Sequence, residues 1–223
     1  MSSNQLTLAE ELLLIILDDS SGKFFASAKP FAIDIAIAAS LIMELTLKGR
    51  IDTDSEKLFV ISTAPTGNQI LDDTLAEISA EKTSLPTSAW ITRIGKKGES
   101  LNQLIIQSLV DRGVLMSVEK RLLWVFKTRV YPPTSGIEER EVRARVMQLI
   151  NSDDIPNPRD SLIVGLLQAT SLMNHLLTPD ELKRLKTRID TIVNLEEINR
   201  SLGASVQEAW QAIIDNTPVI RIC

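Results

Sequence analysis

The chain has 223 residues, of which 44% are hydrophobic and only 4% aromatic, so it can bury a sizeable core built mainly from aliphatic side chains. Its formal net charge of −5 argues against a nucleic-acid-binding protein, which needs a basic face. The single cysteine, Cys223, and the single histidine, His175, exclude an internal disulfide, a cysteine-rich metal site and a relay of two histidines.

A helix is predicted from the capping box Thr7-Leu8-Ala9-Glu10 to about Leu17. Its apolar residues follow two glutamates rather than basic residues, which is not the pattern of a signal peptide. The turn Asp18 to Gly22 ends this helix, and a short strand is predicted within Lys23 to Ser27.

The most apolar part of the chain is Phe31 to Leu47, which contains Asp34 and Glu44. A membrane-spanning helix needs about 20 consecutive apolar residues, and a carboxylate inside it is costly. The segment is therefore predicted to be a central helix buried on nearly all sides, with Pro30 in its first turn and the glycine of Lys48-Gly49-Arg50 at its end. We expect a cytoplasmic protein whose contact with a membrane is peripheral.

The middle of the chain alternates short strands with amphipathic helices. The predicted elements are, in order, a hairpin within Ile51–Ile61, a helix from Asn68 or Asp72 to about Lys82, a helical stretch after Pro86, a loop at Gly95–Gly98, a helix from Leu101 to Gly113, and paired strands at Val114–Met116 and Leu122–Val130 around Glu119–Arg121.

The clearest internal break is Pro132 to Gly136, and no repeat or low-complexity linker divides the chain. The sequence therefore predicts a single domain, residues 1–223, of the mainly α class. Its predicted architecture is a central buried helix bundle ringed by amphipathic helices, with two or three short β-hairpins. The helices predicted after the break are Ile137–Asn151, Asp160–Leu177, Pro179–Leu195 and Ser205–Asn216.

Residues able to carry catalysis are scarce. His175 lies on an apolar helix, which favours a packed or surface residue, and Cys223 has no activating neighbour in the sequence. The acidic pairs Asp72-Asp73 and Asp153-Asp154 occupy helix-start or loop positions, where carboxylates usually complement the helix dipole. We expect a non-enzymatic protein that binds no metal and no cofactor.

The sequence feature most typical of a ligand-binding site is a pair of basic residues on one predicted helix. Arg140 and Arg143 are three residues apart on a predicted helix, so they share one face. Two guanidinium groups on one face can hold a phosphate group. Ion pairs with Glu138, Glu139 and Glu141 in the same turns are the alternative, and from the residues alone the more common arrangement.

Five segments, considered in their order and spacing, form a fairly specific set. They are Leu6–Leu14, Glu44–Ile51, Pro65–Asp72, Leu109–Leu115 and the helix Arg159–Leu177. Together they resemble the Golgi phosphoprotein 3 family, a group of peripheral membrane proteins with relatives in bacteria. The resemblance implies a mostly helical fold with a central buried helix bundle, amphipathic helices around it and short hairpins.

The resemblance also implies a lipid-binding site. Eukaryotic members of the family bind phosphatidylinositol 4-phosphate and retain glycosyltransferases by holding their cytosolic tails. Their headgroup pocket combines a tryptophan and an arginine, near the start of the central helix, with basic residues on the helix that corresponds to Ile137–Asn151. Arg140 and Arg143 match those basic residues.

The other half of that pocket differs in this chain. Counted back from Glu44 without gaps, the arginine position is Ala38 and the tryptophan position is Lys29. Lys29 supplies a charge, and Phe25 or the adjacent Phe24 supplies an aromatic ring if the loop is shifted. The implied headgroup site therefore consists of Arg140, Arg143, Lys29 and Phe25.

The first functional hypothesis is a peripheral membrane protein that binds an anionic lipid, nominally phosphatidylinositol 4-phosphate, at this site. The second is an interaction adaptor that holds the tails of partner proteins without recognising lipid, as the missing tryptophan and arginine suggest. The family's membrane-inserting hairpin, which also contributes to oligomers, corresponds to Asn151–Arg159. This chain has two aspartates and no aromatic residue there, so bilayer entry is not expected and a homo-oligomer is left open.

A third hypothesis is a winged-helix DNA-binding protein. The helix Leu101–Arg112 followed by the predicted strand pair within Val114–Val130 suggests it. The acidic net charge and the lack of an arginine-rich recognition helix argue against it.

Overall fold

The structure is a computed structural model that describes residues 5–18, 23–24, 30–53, 57–122 and 126–216. Within these residues it is mainly helical with three short antiparallel hairpins, as predicted. The helices are α1 (Leu8–Ile16), α2 (Pro30–Leu47), α3 (Gln69–Ala80), α4 (Thr87–Gly95), α5 (Gly98–Asp111), α6 (Ile137–Asn151), α7 (Pro158–Ala169), α8 (Pro179–Leu195) and α9 (Glu197–Asn216), with a 3-10 helix at Leu172–His175. The strands are β1 (Leu17–Asp18), β2 (Lys23–Phe24), β3 (Ile51–Thr53), β4 (Leu58–Val60), β5 (Val118–Leu122) and β6 (Phe126–Val130).

Helix α2 forms the centre of the fold, which confirms the interpretation of the apolar segment. Its residues from Ile35 to Leu45 are all buried, because apolar side chains occur around its whole circumference. Helices α1, α3, α4, α5, α7 and α9 contact it. After its last residue, Leu47, the helix is terminated by Gly49, which has a φ of 61° and whose N–H donates to the carbonyl of Thr46 at 2.9 Å.

Helix α1 begins at the predicted capping box. The Thr7 N–H donates to a Glu10 carboxylate oxygen at 2.7 Å, and the Glu10 N–H donates to the Thr7 hydroxyl at 3.2 Å. Every residue of the helix is buried, including Glu10 and Glu11. Buried carboxylates need compensating partners, and these partners come from α5, α6 and α7.

The hairpin predicted within Ile51–Ile61 is confirmed as β3 and β4. The prediction for the next pair is wrong in register, because β5 begins at Val118 and Glu119 to Arg121 lie in the strand rather than in a turn. Residues Val114 to Met116 instead run beside Pro132 and Pro133, where Leu115 makes one isolated bridge. Prolines have no N–H to donate, so the pairing there does not extend into a ladder.

Two helix boundaries in the C-terminal half also differ from prediction. The expected helix Asp160–Leu177 is broken after Ala169, because Ser171 takes a left-handed conformation with φ 60°. Helix α9 begins at Glu197 rather than at Ser205. The reason is a local cap, since the Glu196 carboxylate accepts a hydrogen bond from the Asn199 N–H at 2.9 Å.

Candidate functional site

Helix α6 carries the two arginines singled out from the sequence. Its buried side includes Val142, Val146 and Ile150. Because a helix advances about 100° per residue, the other residues of α6 lie on one side or the other of this buried row. We call the side of Arg140 and Arg143 the arginine flank, and the opposite side the cleft flank.

Arg143 is anchored to the end of α1. Its Nε atom lies 2.7 Å from the buried carboxylate of Glu139. Its Nη2 atom donates to the carbonyl oxygens of Ile15 at 2.9 Å and Leu17 at 3.0 Å, which satisfies main-chain acceptors left open where α1 ends. The expectation that both arginines are free to take an anion is therefore wrong for Arg143, which holds α6 against α1.

Arg140 is exposed and bonded differently. Its Nη2 atom donates to the main-chain carbonyl of Ser135 at 3.2 Å, and no carboxylate of the described residues forms an ion pair with it. Gly136, with φ 66°, makes room for this side chain, since a Cβ atom there would lie 2.9 Å from Arg140 Nη1. As far as the described residues go, the positive charge of Arg140 at the surface of α6 is thus not compensated by an ion pair.

The remaining residues of the implied headgroup site are placed only in part. Lys29 and Phe25 lie outside the described residues. The backbone of Phe24 pairs with Leu17 in the β1–β2 hairpin, next to the carbonyl that Arg143 holds. Ala38, which the ungapped count from Glu44 predicts to be the family's arginine position, is fully buried in α2. A side chain at this position of the chain therefore belongs to the core rather than to a surface pocket.

The cleft flank contains an ion network that sequence reasoning missed. Arg145 Nη2 lies 2.6 Å from Glu11 of α1, and its Nε lies 3.2 Å from Asp160 of α7. Burial lowers the pKa of Arg145, but the hydrogen bond and charge of Glu11, with those of Asp160, outweigh it and leave the pKa raised. Arg145 is therefore held as a cation between two helices.

Arg159 joins three parts of the chain. Its Nε atom lies 2.7 Å from Glu11, and its Nη1 atom lies 3.1 Å from Glu44 of α2. Its Nη2 atom donates to the carbonyl of Leu6, and the Leu8 N–H donates to Glu44 at 2.8 Å. Burial lowers the pKa of Arg159, yet the nearby charges of Glu11 and Glu44 raise it above its ordinary value.

Glu10 has a separate partner. Arg112, at the end of α5, lies 2.8 Å from its Oε2 atom, and the Ser108 hydroxyl donates to its Oε1 atom at 2.8 Å. One signal in the sequence points to this network: Glu10, Glu11 and Glu44 stand inside strongly apolar segments, so each needs a cation once it is buried.

A cavity of about 490 Å³ opens beside the network, between the start of α1 and the cleft flank. We call it the α1–α6 cleft. Its arginines are engaged by internal carboxylates, whereas Glu138 and Glu141 line it as exposed or half-exposed acidic groups. Ile137, 51% exposed, adds an apolar surface. The cleft therefore offers carboxylates beside an aliphatic side chain.

His175 does not line the α1–α6 cleft. His175 is half-buried in the 3-10 helix, and burial lowers its pKa. Cys223 lies outside the described residues. In the part of the chain that the structure describes, no cluster of three metal-ligating side chains is found, and none of the helices is long and apolar enough to cross a bilayer.

The loop that follows α6 exposes one large apolar side chain. Ile155 is 95% exposed beside the acidic pair Asp153-Asp154. Arg188 of α8 donates to the carbonyl of Asp154 at 2.7 Å and to that of Leu149 at 3.3 Å. The Arg188 side chain thus ties both the loop and the end of α6 to α8 through their main-chain carbonyls.

Comparison with known proteins identifies the family. The model of the family described as Golgi phosphoprotein 3 (GPP34) matches residues 8–215, from the first residue of α1 into α9. The chain therefore belongs to the Golgi phosphoprotein 3 family, as the resemblance of its segments predicted.

A curated relative gives a more distant match. Vacuolar protein sorting-associated protein 74 of Schizosaccharomyces pombe is 25% identical over 192 residues, which cover 75% of this chain. The aligned region spans 56% of the length of that relative, so just over half of the yeast protein has a counterpart here.

Proposed function

We propose that this protein is a non-enzymatic peripheral membrane protein that contacts anionic lipid headgroups, nominally phosphatidylinositol 4-phosphate, through the arginine flank of α6. Family membership supports the class of protein. The observation that carries the proposal is the exposed guanidinium of Arg140, whose described polar contact is one main-chain carbonyl. A guanidinium has five N–H donors, so most of those of Arg140 are available to a phosphate oxygen.

The same geometry limits how the lipid is recognised. Arg143 is paired with Glu139 and two carbonyls, and Ala38 is buried, so a pocket of several arginines is not part of the proposal. We infer binding driven by the charge of Arg140 and assisted by Lys29, as the family resemblance implies. Such binding is weak, depends on the density of anionic lipid and falls as salt screens the charge.

Vesicle flotation tests the proposal. The protein is mixed with phosphatidylcholine vesicles that contain phosphatidylserine, phosphatidylinositol 4-phosphate or neither, at low and high salt. Because a basic residue near an anionic surface contributes about 1 kcal/mol, Arg140→Ala should lower the partition coefficient on anionic vesicles about fivefold. Arg184→Ala, which removes another exposed arginine from α8, is the matched control. Equal losses in the two variants would mean that only net charge matters, and unchanged binding by Arg140→Ala would overturn the site.

A second function, that of an adaptor for protein tails, is favoured by the α1–α6 cleft. Glu138 and Glu141 suit a cationic side chain, and Ile137 beside them suits an aliphatic one. The name of the yeast relative associates it with vacuolar protein sorting, and we extend the idea of partner selection to this chain as a proposal. The bound segment would then be a short stretch with one basic and one aliphatic residue.

A peptide titration distinguishes the adaptor from the lipid-binding protein. The probe is N-acetyl-leucyl-arginine amide, and the neutral control is the same peptide with citrulline in place of arginine. Amide chemical shifts of Ile137, Glu138 and Glu141 should move with the arginine peptide only. The double change Glu138→Gln and Glu141→Gln should abolish the shifts, whereas the same double change at Glu197 and Glu208, which line a separate cavity on α9, should not. Equal response to both peptides would refute the adaptor site.

A further inference from the structure

The central helix contains a carboxyl group, that of Asp34, that forms no ion pair with the residues the structure describes. Asp34 lies in the second turn of α2 and is half-buried where α5 begins. The backbone of Gly98, the first residue of α5, approaches so closely that a Cβ atom there would lie 2.1 Å from Asp34 Cγ. Only glycine permits this approach, so the two helices are fitted around the Asp34 side chain.

Asn102 continues the contact one turn along α5. Its Nδ2 atom donates to Asp34 Oδ1 at 3.1 Å. The Asn102 side chain is buried, with 8% of the residue exposed, and its Oδ1 atom has no hydrogen-bond partner in the described part of the chain. A buried acceptor without a donor costs about 1–3 kcal/mol, so this amide is only half satisfied.

The charges around Asp34 do not favour its ionised form. Glu99 is the charged group of the described residues that acts on it electrostatically, and it repels the carboxylate. Two cations of the neighbouring α4 and its end are engaged elsewhere, since Lys97 lies 2.7 Å from Glu77 and Arg93 lies 2.6 Å from Glu81. Lys96, the C-cap residue of α4, is exposed and is not among the charges of the described residues that act on Asp34. Burial is the largest effect and raises the pKa of Asp34; the Asn102 hydrogen bond lowers it, and Glu99 raises it again, leaving it above the ordinary value.

We propose that Asp34 and Asn102 form a proton-dependent clasp that tightens the contact between α2 and α5 on acidification. The neutral carboxyl group has an O–H to donate, and the unpaired Oδ1 atom of Asn102 is the buried acceptor beside it. Protonation thus adds a second hydrogen bond to the one already donated by Nδ2 and removes the repulsion by Glu99. In the ionised state the carboxylate cannot donate, and the amide oxygen stays unpaired.

The direction of the effect follows from proton linkage. The carboxyl group binds its proton more tightly in the folded chain than in the unfolded chain. Its stabilising contribution is therefore fully present below the unfolded pKa and is lost as pH rises through the folded pKa of Asp34. The clasp is weakest near neutral pH and strengthens toward mildly acidic pH. This inference does not depend on lipid or peptide binding.

The clasp is tested with Asp34→Asn, since a neutral amide can donate to Asn102 at every pH. Urea unfolding is measured for this variant and the wild type from about pH 7 to about pH 4.5, a range in which linkage to a raised aspartate pKa is visible. The variant should have the higher urea midpoint near pH 7, and its advantage should shrink steadily as the pH falls. Asp153→Asn, a change at an exposed loop residue, is the matched control and should show no such trend.

A second readout keeps the inference testable if Asp34→Asn folds poorly. In wild-type protein, the ¹³C shift of the Asp34 carboxyl should titrate above the range of an unperturbed aspartate. The side-chain amide of Asn102 should shift with the same midpoint, because its oxygen gains a donor. The clasp is overturned if Asp34 titrates in the ordinary aspartate range or if the Asn102 amide shift does not change with the Asp34 titration. It is also overturned if the difference in urea midpoint between Asp34→Asn and the wild type does not depend on pH.

Discussion

Arg159 and Arg140 show two opposite uses of the same side chain in one protein. Arg159, with 14% of its side chain exposed, ties α7 to Glu11, Glu44 and the carbonyl of Leu6. Arg140 lies exposed on α6 and contacts only a nearby carbonyl among the described residues. The first arginine compensates carboxylates that the core has buried, whereas the second keeps its charge at the surface.

The difference between them depends on distance along the chain. The Glu11 partner of Arg159 is 148 residues away and its Glu44 partner is 115 residues away, while the carbonyl bonded to Arg140 is 5 residues away. Local sequence patterns therefore cannot tell which arginine is available. Arg143, placed between these extremes, pairs locally with Glu139 and distantly with α1.

The largest effect is expected from Arg159→Met, which keeps the aliphatic length but removes the charge. Glu11 loses one of its two cations and keeps Arg145. Glu44 loses the closer of its two cations and keeps Lys48, which lies 3.8 Å away. Removing one partner of a buried ion pair costs about 3–5 kcal/mol. The free energy of unfolding from urea titration measures the loss.

Lys186→Met is the matched control for that change. It breaks an ion pair of 2.6 Å with Asp190, but the lysine side chain is 70% exposed. Exposed pairs contribute at most about 1 kcal/mol. Comparable losses of unfolding free energy in the two variants would show that the buried ion pairs of Arg159 contribute no more to stability than an exposed pair. The distinction between the structural Arg159 and the available Arg140 would then be refuted.

An intermediate effect is expected from Arg143→Ala. The buried carboxylate of Glu139 loses the cation that lies 2.7 Å away, and the carbonyls of Ile15 and Leu17 lose a charged donor. These losses together cost about 2 kcal/mol. Adding Glu139→Gln should recover part of the loss, because a neutral amide is cheaper to bury. Thermal unfolding of the single and double variants measures this coupling. If the Arg143→Ala protein is as stable as the wild type, the contacts of Arg143 are not structural and its guanidinium is available to bind an anion.

The smallest effect on stability is expected from Arg140→Ala. Its side chain is exposed and makes one described hydrogen bond, so the free energy of unfolding should change by no more than about 0.5 kcal/mol. Urea titration checks this against the wild type. A larger loss would mean that the carbonyl of Ser135 depends on the guanidinium and that Arg140 is structural like Arg143.

Much of the fold is predictable because its signals are local. The capping box at Thr7 predicts the start of α1 correctly, the predicted start of α8 at Pro179 is also correct, and the apolar composition of α2 predicts its burial. The helix interruption at Ser171 was not predictable, because it depends on a left-handed backbone conformation at a residue that is not glycine. The register of β5 was not predictable either, because it depends on how the chain before β5 pairs beside two prolines. The single-domain organisation stays a prediction.

The candidate site was only half predictable for a different reason. The spacing of Arg140 and Arg143 correctly puts both on one flank of α6. It gives no information about Ile15 and Leu17, whose carbonyls become acceptors only when α1 ends beside α6. The α1–α6 cleft was missed altogether, because its walls come from segments more than a hundred residues apart.

The position of Glu44 has a consequence for the order of assembly. Its carboxylate is buried in the central helix, yet the groups that satisfy it are the Leu8 N–H of α1 and the Arg159 guanidinium of α7. A nascent chain that has made only α1 and α2 offers Glu44 the Leu8 N–H and Lys48, which lies 3.8 Å away, but not Arg159, the closer of its two cations. We therefore expect the packing around Glu44 to be completed only once α7 has been made, which couples the folding of the two halves of the polypeptide.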